Sequence, residues 1–270
     1  MPQRKRLGLI GCGVMGEGIA RSLLDAGAIS SDEILVGDAD STRLPEAIAA
    51  LGIVAAARNE EVVRGADIVV LAVKPQVLPA VLEEVGAHVC ADQLLVSIAA
   101  GVKSHVIRES IGADVPLVRV MPNICCLVGE GAFAYCCDGP VGDDLLGEFL
   151  GLLRAIGQVV EVAEAQMDAV TAVSGSGPAY VFRFIEALAD GGVAAGLPRQ
   201  SAQRLAAQTV LGAAKMVLEM GRHPAELKDW VCSPGGTTIA AIRALEAGGF
   251  QSAVIEAVVA ANDRSRQLGP

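Results

Sequence analysis

One segment restricts the folds open to this chain more than any other. Gly11-Cys12-Gly13-Val14-Met15-Gly16 follows the apolar run 6–10 and precedes residues 17–26, where Ile19, Ala20, Leu23 and Leu24 share one helical face and Gly27 supplies a stop. Strand, spaced glycines and helix in that order form a dinucleotide-binding fingerprint. Gly11 permits the tight turn, Gly13 lets the backbone approach a pyrophosphate, and Gly16 lets helix and strand pack closely. An ordinary glycine-rich turn is the competing reading, and the flanking strand and helix weigh against it.

The alternation continues. Residues 33–37, 68–73, 94–99 and 115–120 are short apolar runs, and 68–73 is apolar throughout, as expected of a strand covered by helices on both faces. Lys74-Pro75 is read as the start of the helix after 68–73. In an open α/β sheet, ligands bind beyond the carboxyl ends of the strands, which is where Lys74, Ala99, Gly101 and Asn123 fall. From about Ala163 the period becomes helical: 166–173, then a break at Ser174-Gly-Ser-Gly-Pro178 with Ser176 as N-cap, then 179–194, a helix opening at Leu197-Pro198, a loop over 229–238, and helices over 238–246 and 250–266. The boundary is placed near Val162 by this change of period.

Aromatic residues are only 3% of the chain, so Ala, Val, Leu and Ile must build the core, which suits close-packed helices and α/β layers. The helical half is rich in small and apolar residues and is expected to bury itself against a second copy. A formal net charge of −10, with no basic cluster beyond Arg4-Lys5-Arg6, argues against nucleic acid as a partner. An anionic ligand must then be held by local devices such as helix N-termini. The apolar runs are strand-sized and no membrane span is expected. Residues 4–12 imitate a lipoprotein signal, but the apolar stretch before Cys12 is short for one. The seven cysteines show no CxxC spacing and two adjacent pairs, so a reduced, cytoplasmic protein is expected.

The chemistry is constrained by what is missing. None of His88, His105 and His223 adjoins a glycine-rich loop or a core strand end, so an imidazole proton donor for carbonyl reduction is not expected. Dehydrogenases resembling 3-hydroxyisobutyrate dehydrogenase carry a Lys after a glycine-rich turn; here Gly175-Ser-Gly177 leads into Pro-Ala-Tyr-Val-Phe182. Zinc-like ligand spacing is absent, and no metal is expected. A cyclic imine fits this set, because its nitrogen can bind already protonated and the protein need only orient it. Ser233-Pro-Gly235-Gly236-Thr237-Thr238 opens a helix whose free N–H groups suit a carboxylate, while Ser233 and Thr238 offer hydroxyls to a ring nitrogen or carboxylate. Thr237 or Thr238 is also expected to cap that helix.

These features resemble pyrroline-5-carboxylate reductase over essentially the whole chain. The resemblance is carried by Ile10-Gly-Cys-Gly-Val-Met-Gly16, Leu71-Ala-Val-Lys-Pro-Gln76, Ser97-Ile-Ala-Ala-Gly101 and Arg119-Val-Met-Pro-Asn123. Further on it is carried by residues 168–180, which end in Ser-Gly-Ser-Gly-Pro-Ala-Tyr180, and by Ser233-Pro-Gly-Gly-Thr-Thr238. It implies an α/β architecture: a Rossmann-type dinucleotide-binding domain over 1–162, followed by an all-helical dimerisation and substrate-binding domain over 163–270. It also implies hydride transfer from NAD(P)H to 1-pyrroline-5-carboxylate to give L-proline, in at least a homodimer whose partner helps close the pocket. By the same resemblance Thr238 and Ser233 would be catalytic, and Gly235, Gly236, Thr237 and Ser176 would hold substrate. Gly11, Gly13, Val14, Met15, Gly16, Asp38, Asn59, Val73, Lys74, Pro75 and Ala99 would line the cofactor.

The chain departs from this pattern in three places. Ile124-Cys125-Cys126 stands where relatives read Thr-Pro-Ala, and Trp230 adjoins the substrate loop where a polar residue is common. Asp38-Ala39-Asp40 stands where many relatives read Asn-Arg-Ser or Asn-Arg-Thr, whose Arg can pair with a 2′-phosphate. Asp38 can accept from a free ribose 2′-OH and repel a phosphate there, so NADH is expected to be favoured over NADPH, with Arg43 as the counterweight. Two readings compete with this one: reduction of a six-membered imine, and a redox sensor built on the cysteines.

Overall fold

The computed structural model describes residues 7–40, 42–111 and 114–268. Arg6 and the basic triplet it ends lie outside them. Contacts divide the chain into two compact units, one holding 7–176 with 261–268 and the other 177–260.

The first unit is built on an eight-stranded sheet of order β3-β2-β1-β4-β5-β6-β7-β8. Its first half runs β1 (Leu7–Ile10), α1 (Val14–Asp25), β2 (Ile34–Gly37), α2 (Arg43–Leu51), β3 (Val54–Ala55), α3 (Asn59–Gly65), β4 (Ile68–Leu71), α4 (Leu78–Val85) and β5 (Leu94–Ser97). There follow α5 (Ser104–Arg108), β6 (Leu117–Met121), β7 (Gly131–Asp138), α6 (Asp143–Arg154), β8 (Gly157–Glu161) and α7 (Met167–Val170). All neighbours are parallel except β6 and β7. The central strands β1, β2, β4 and β5 are buried at every residue. Alternate residues feed two separate cores: Leu7, Leu9, Val70 and Val96 pack with Ile19, Leu23 and Phe149, while Ile10, Val69, Leu71 and Leu95 pack with Leu78 and Leu82. This is the Rossmann-type, doubly covered sheet that the apolar runs imply.

Several local expectations are corrected. Lys74-Pro75 does not start a helix; it forms a turn in which the Lys74 carbonyl accepts from the Val77 and Leu78 N–H groups, and α4 begins at Leu78. Ser174–Gly177 does not break the chain. Thr171–Gly175 is a π-helical turn in which the Ser176 N–H reaches back to the Thr171 carbonyl at 2.8 Å, and Ser176 has right-handed helical angles, not the extended ones of an N-cap. Two side chains bond back onto the helix: the Thr171 hydroxyl donates to the Met167 carbonyl and Ser174 to that of Val170.

The second unit contains α8 (Gly177–Ala194), α9 (Arg199–Met220), α10 (Pro224–Trp230), α11 (Thr237–Ala247) and most of α12 (Phe250–Leu268). The expected loop 229–238 is shorter than read, because α10 occupies 224–230, with Pro224 in its first turn and His223 accepting from the Ala225 N–H. Its buried core is small: Ala189, Ala202 and Ala206, flanked by Ile185 and Val193. Large apolar side chains stay exposed instead, among them Phe182, Leu188, Leu205 and Leu218. Tyr180, Phe184, Leu188, Leu205, Val210, Phe250 and Val254 line a groove of about 990 Å³.

Candidate active site

The carboxyl ends of β1, β2, β4, β5 and β6 surround a cleft of about 850 Å³ in the first unit. Nine predicted cofactor residues line it together: Gly11, Gly13, Val14, Met15, Asp38, Val73, Lys74, Pro75 and Ala99. Gly11 turns with φ +103°, and a side chain there would lie 2.7 Å from the Ala72 carbonyl oxygen. The Gly13 face is open to the cleft, with Arg43 Nη1 the nearest atom, 3.8 Å from where a Cβ would stand. Gly13 is the N-cap of α1 without a side-chain cap, and the N–H groups of Gly13, Val14 and Met15 have no partner among the described residues. An uncapped helix N-terminus facing an open cleft, with no Cβ in the way, fits a dinucleotide diphosphate.

Asp38 is held firmly. Its Oδ2 accepts from the Cys12 N–H at 2.6 Å and its Oδ1 from the Asp40 N–H at 2.8 Å. Asp40 in turn accepts from the Thr42 N–H and hydroxyl, and Arg43 Nε stands 3.3 Å from its Oδ2. The Thr42 hydroxyl, its N–H and Arg43 hold the Asp40 carboxyl below the usual range. Burial, then the Glu17 and Asp38 charges, push the Cys12 thiol up to about 11.

Two predicted residues are not on the lining. A methyl on Gly16 would overlap the Gly11 carbonyl oxygen, so this glycine serves the packing of α1 on the loop. Asn59 begins α3, donates to Glu84 at 2.8 Å, and keeps its Oδ1 beside Gly37. The lining also includes Cys12, Glu17, Glu46, Ala72, Ile98, Met121 and Pro122. Met121-Pro122 could have been found from the strand-end rule, since it follows β6 directly.

A half-buried ion pair lies nearby. Arg119 of β6 donates to Glu164 Oε1 at 2.7 Å, and the same oxygen accepts from the Ser104 N–H at the start of α5. Burial opposes the Glu164 charge, but these bonds prevail and hold its carboxyl below the usual range.

In the second unit, Ser233–Gly236 is a tight turn: the Gly236 N–H donates to the Ser233 carbonyl at 3.0 Å and Gly235 takes φ +70° at the third position. A methyl on Gly236 would overlap Ser233 Oγ, so only glycine lets that hydroxyl lie over the start of α11. The expected capping by Thr237 or Thr238 is not found. Gly236 is the N-cap, no side chain caps it, and both threonines lie inside the first turn. The N–H groups of Thr237, Thr238 and Ile239 therefore lack partners among the described residues. Ser176 is placed in the first unit, at the end of the π-helical turn.

Two of the three histidines are engaged elsewhere: His223 caps α10, and His88 lies beside Glu60 and Arg64. All seven cysteines are free. No single helix among the described residues is long and apolar enough to cross a membrane.

Comparison with known proteins agrees with this geometry. Residues 164–268 match the family model of pyrroline-5-carboxylate reductase dimerisation, and residues 6–101 match that of NADP oxidoreductase coenzyme F420-dependent. The chain is 43% identical over 267 residues to the pyrroline-5-carboxylate reductase of Methanosarcina acetivorans, covering 99% of both chains. It is 44% identical over 268 residues to that of Escherichia coli, covering 98% of each. Among solved structures, the Coxiella burnetii pyrroline-5-carboxylate reductase superposes with a TM-score of 0.91 at 34% identity, covering 99% of this chain and 100% of the other. The Plasmodium falciparum pyrroline carboxylate reductase with NADP bound superposes at 0.86, also at 34% identity, covering 99% of each. Identity of this order over nearly the full length, together with the fold, shows that the chain belongs to the pyrroline-5-carboxylate reductase family.

Proposed function

We propose that this chain reduces 1-pyrroline-5-carboxylate to L-proline with a reduced nicotinamide dinucleotide, NADH in preference to NADPH. The observation that carries the reading is the pairing of two uncapped helix N-termini in one chain of this family. That of α1 opens on a cleft shaped for a dinucleotide, and that of α11 lies under the Ser233 hydroxyl.

In this reading Gly11, Gly13, Val14 and Met15 hold the diphosphate through backbone N–H groups, and Val73, Lys74, Pro75 and Ala99 flank the rest of the cofactor. Gly16 and Asn59 act from behind, by packing and by fixing the end of β2. When bound, the cofactor supplies the hydride. The α11 N–H groups, with Gly235, Gly236 and Thr237, take the substrate carboxylate. Thr238 and Ser233 orient the protonated imine nitrogen, and Ser176 contributes to the substrate end. A substrate that binds already protonated explains how the chemistry proceeds without a histidine acid.

NADH preference rests on Asp38. Both its oxygens are fixed by backbone N–H groups, so the carboxylate stays at the end of β2, where it can accept from a ribose 2′-OH and repels a 2′-phosphate. The functional division is proposed at 162/163, so that α7 counts with the helical, substrate-binding part. The groove on α8, α9 and α12 is proposed to be covered by a second copy, whose helical part completes the pocket. The free cysteines suit a reducing compartment, and a cytoplasmic location is proposed. The test is to mix the purified protein with 1-pyrroline-5-carboxylate and each reduced cofactor and to measure proline. Its formation in step with cofactor oxidation supports the reading, and its absence with both cofactors refutes it.

A further inference from the structure

One cation of the cleft lining is Arg43. It begins α2, lines the cleft, and is half exposed. Its guanidinium is held at one corner only, by Nε against Asp40. The Nη groups have no hydrogen-bond partner among the described residues, and Nη1 is the nearest atom to the open face of Gly13. An arginine that read a 2′-phosphate would turn its fork to the end of β2. There the carboxylates of Asp38 and Asp40 already stand, and Asp40 occupies the corner of Arg43 that faces them. Nη1 of the fork instead stands beside the glycine loop, where the Gly13, Val14 and Met15 N–H groups are unpaired among the described residues. The other charged groups on the lining are Glu17, which is paired with Arg21, Glu46, and Lys74 beyond β4. Among the described residues, Arg43 and Lys74 are the cations on this lining, and Arg43 is the one whose Nη1 stands beside Gly13.

We infer that Arg43 clamps the diphosphate common to NADH and NADPH and does not discriminate between them. The inference rests on the reading of this cleft as the cofactor site. Asp40 acts as the positioning residue: it takes Nε and leaves the fork aimed at Gly13. Guanidinium and backbone N–H groups would then meet the same anion from two sides, a stronger arrangement than either alone.

The test is direct binding of NADH, NADPH and ADP-ribose to the wild type, Arg43→Gln and Arg43→Lys, by titration calorimetry without substrate. Loss of charge-assisted bonds predicts that Arg43→Gln weakens all three ligands by a common factor of about 10–30, with Arg43→Lys restoring part of the loss. The NADH to NADPH affinity ratio stays within about twofold of wild type. ADP-ribose carries the diphosphate but neither the 2′-phosphate nor the nicotinamide, so its loss isolates the contact. Loss confined to NADPH would overturn the inference and make Arg43 the reader of the 2′-phosphate. Undiminished binding of all three would overturn it as well. If the wild type binds none of them, the cofactor reading fails first, and this inference fails with it.

Discussion

The Asp38 carboxylate accepts a hydrogen bond from the Cys12 backbone N–H at 2.6 Å, joining the end of β2 to the glycine loop. One side chain thereby ties the glycine loop to the strand end, and in the proposed reading it presents a negative charge to the adenosine ribose.

The paired change Asp38→Asn with Ala39→Arg removes that charge and adds a cation at the same strand end. It is expected to move the NADPH to NADH ratio of kcat/KM toward NADPH by about tenfold or more, which is roughly 1.4 kcal/mol. Steady-state rates at fixed, moderate salt check this, and an unchanged ratio would show that Asp38 does not read the ribose.

Thr238→Ala is expected to lower kcat/KM for the imine by about 10–100-fold, the loss of one oriented hydrogen bond to a charged group. Because Thr238 caps nothing, the melting temperature should hardly move. A folded variant with wild-type kcat/KM would remove Thr238 from the mechanism.

Glu164→Gln leaves Arg119, which is 8% exposed, without its anionic partner. The expected destabilisation is about 1–2 kcal/mol. That is less than the roughly 3–5 of fully buried pairs, because the Glu164 side chain is 40% exposed. The folded-state pKa of Glu164 is lowered, so its contribution is full above the unfolded value near 4.5 and is lost as pH falls below that toward the folded pKa. Denaturation of wild type and variant should differ at pH 7 and converge as the solution is acidified. A constant difference across pH 3–7 would contradict this account of the pair.

Cys12 lines the cleft, but burial and two nearby carboxylates push its thiol up to about 11. Cys126 and Cys136 are raised to about 11 as well, chiefly by burial. At neutral pH, alkylation followed by peptide mass spectrometry should therefore find exposed Cys90 modified well before these three. Replacing all seven cysteines should leave turnover intact. Loss of activity on mild oxidation of Cys12 would revive the sensor reading.

β1, β2, β4, β5 and β6 were legible because strands covered on both faces are largely apolar, whereas the two residues of β3 give no run to read; the glycine fingerprint fixed where the cleft must open. β7 and β8 were not legible. The apolar run of Gly131–Asp138 is made of Ala, aromatic and Cys residues and lacks the Val, Ile and Leu that marked the other strands, and Gly157–Glu161 is mostly solvent-facing. α10 is too short, at seven residues, to show a helical period, although Pro224 after His223 is a helix-start signal. At the site, nine residues expected from sequence to hold a cofactor share one lining. It could not show that Asp38 is tied to Cys12 or that Arg43 points at Gly13, because both depend on side-chain direction across separate strands. Nor could it distinguish Gly16, which packs, from Gly13, which faces the open cleft.

The groove on α8, α9 and α12 leads us to expect a dimer or larger assembly at assay concentrations, and Leu205→Glu should weaken it. Light scattering of the active species checks this. A fully active monomer would contradict the proposed composite pocket.

The measurement that bears most directly on the central claim is kcat/KM for 1-pyrroline-5-carboxylate and for the six-membered piperideine carboxylate, each with NADH and NADPH. The account predicts proline formed in step with cofactor oxidation, a clear preference for the five-membered ring, and higher kcat/KM with NADH. No reduction of the five-membered ring with either cofactor, or faster reduction of the six-membered one, would contradict it.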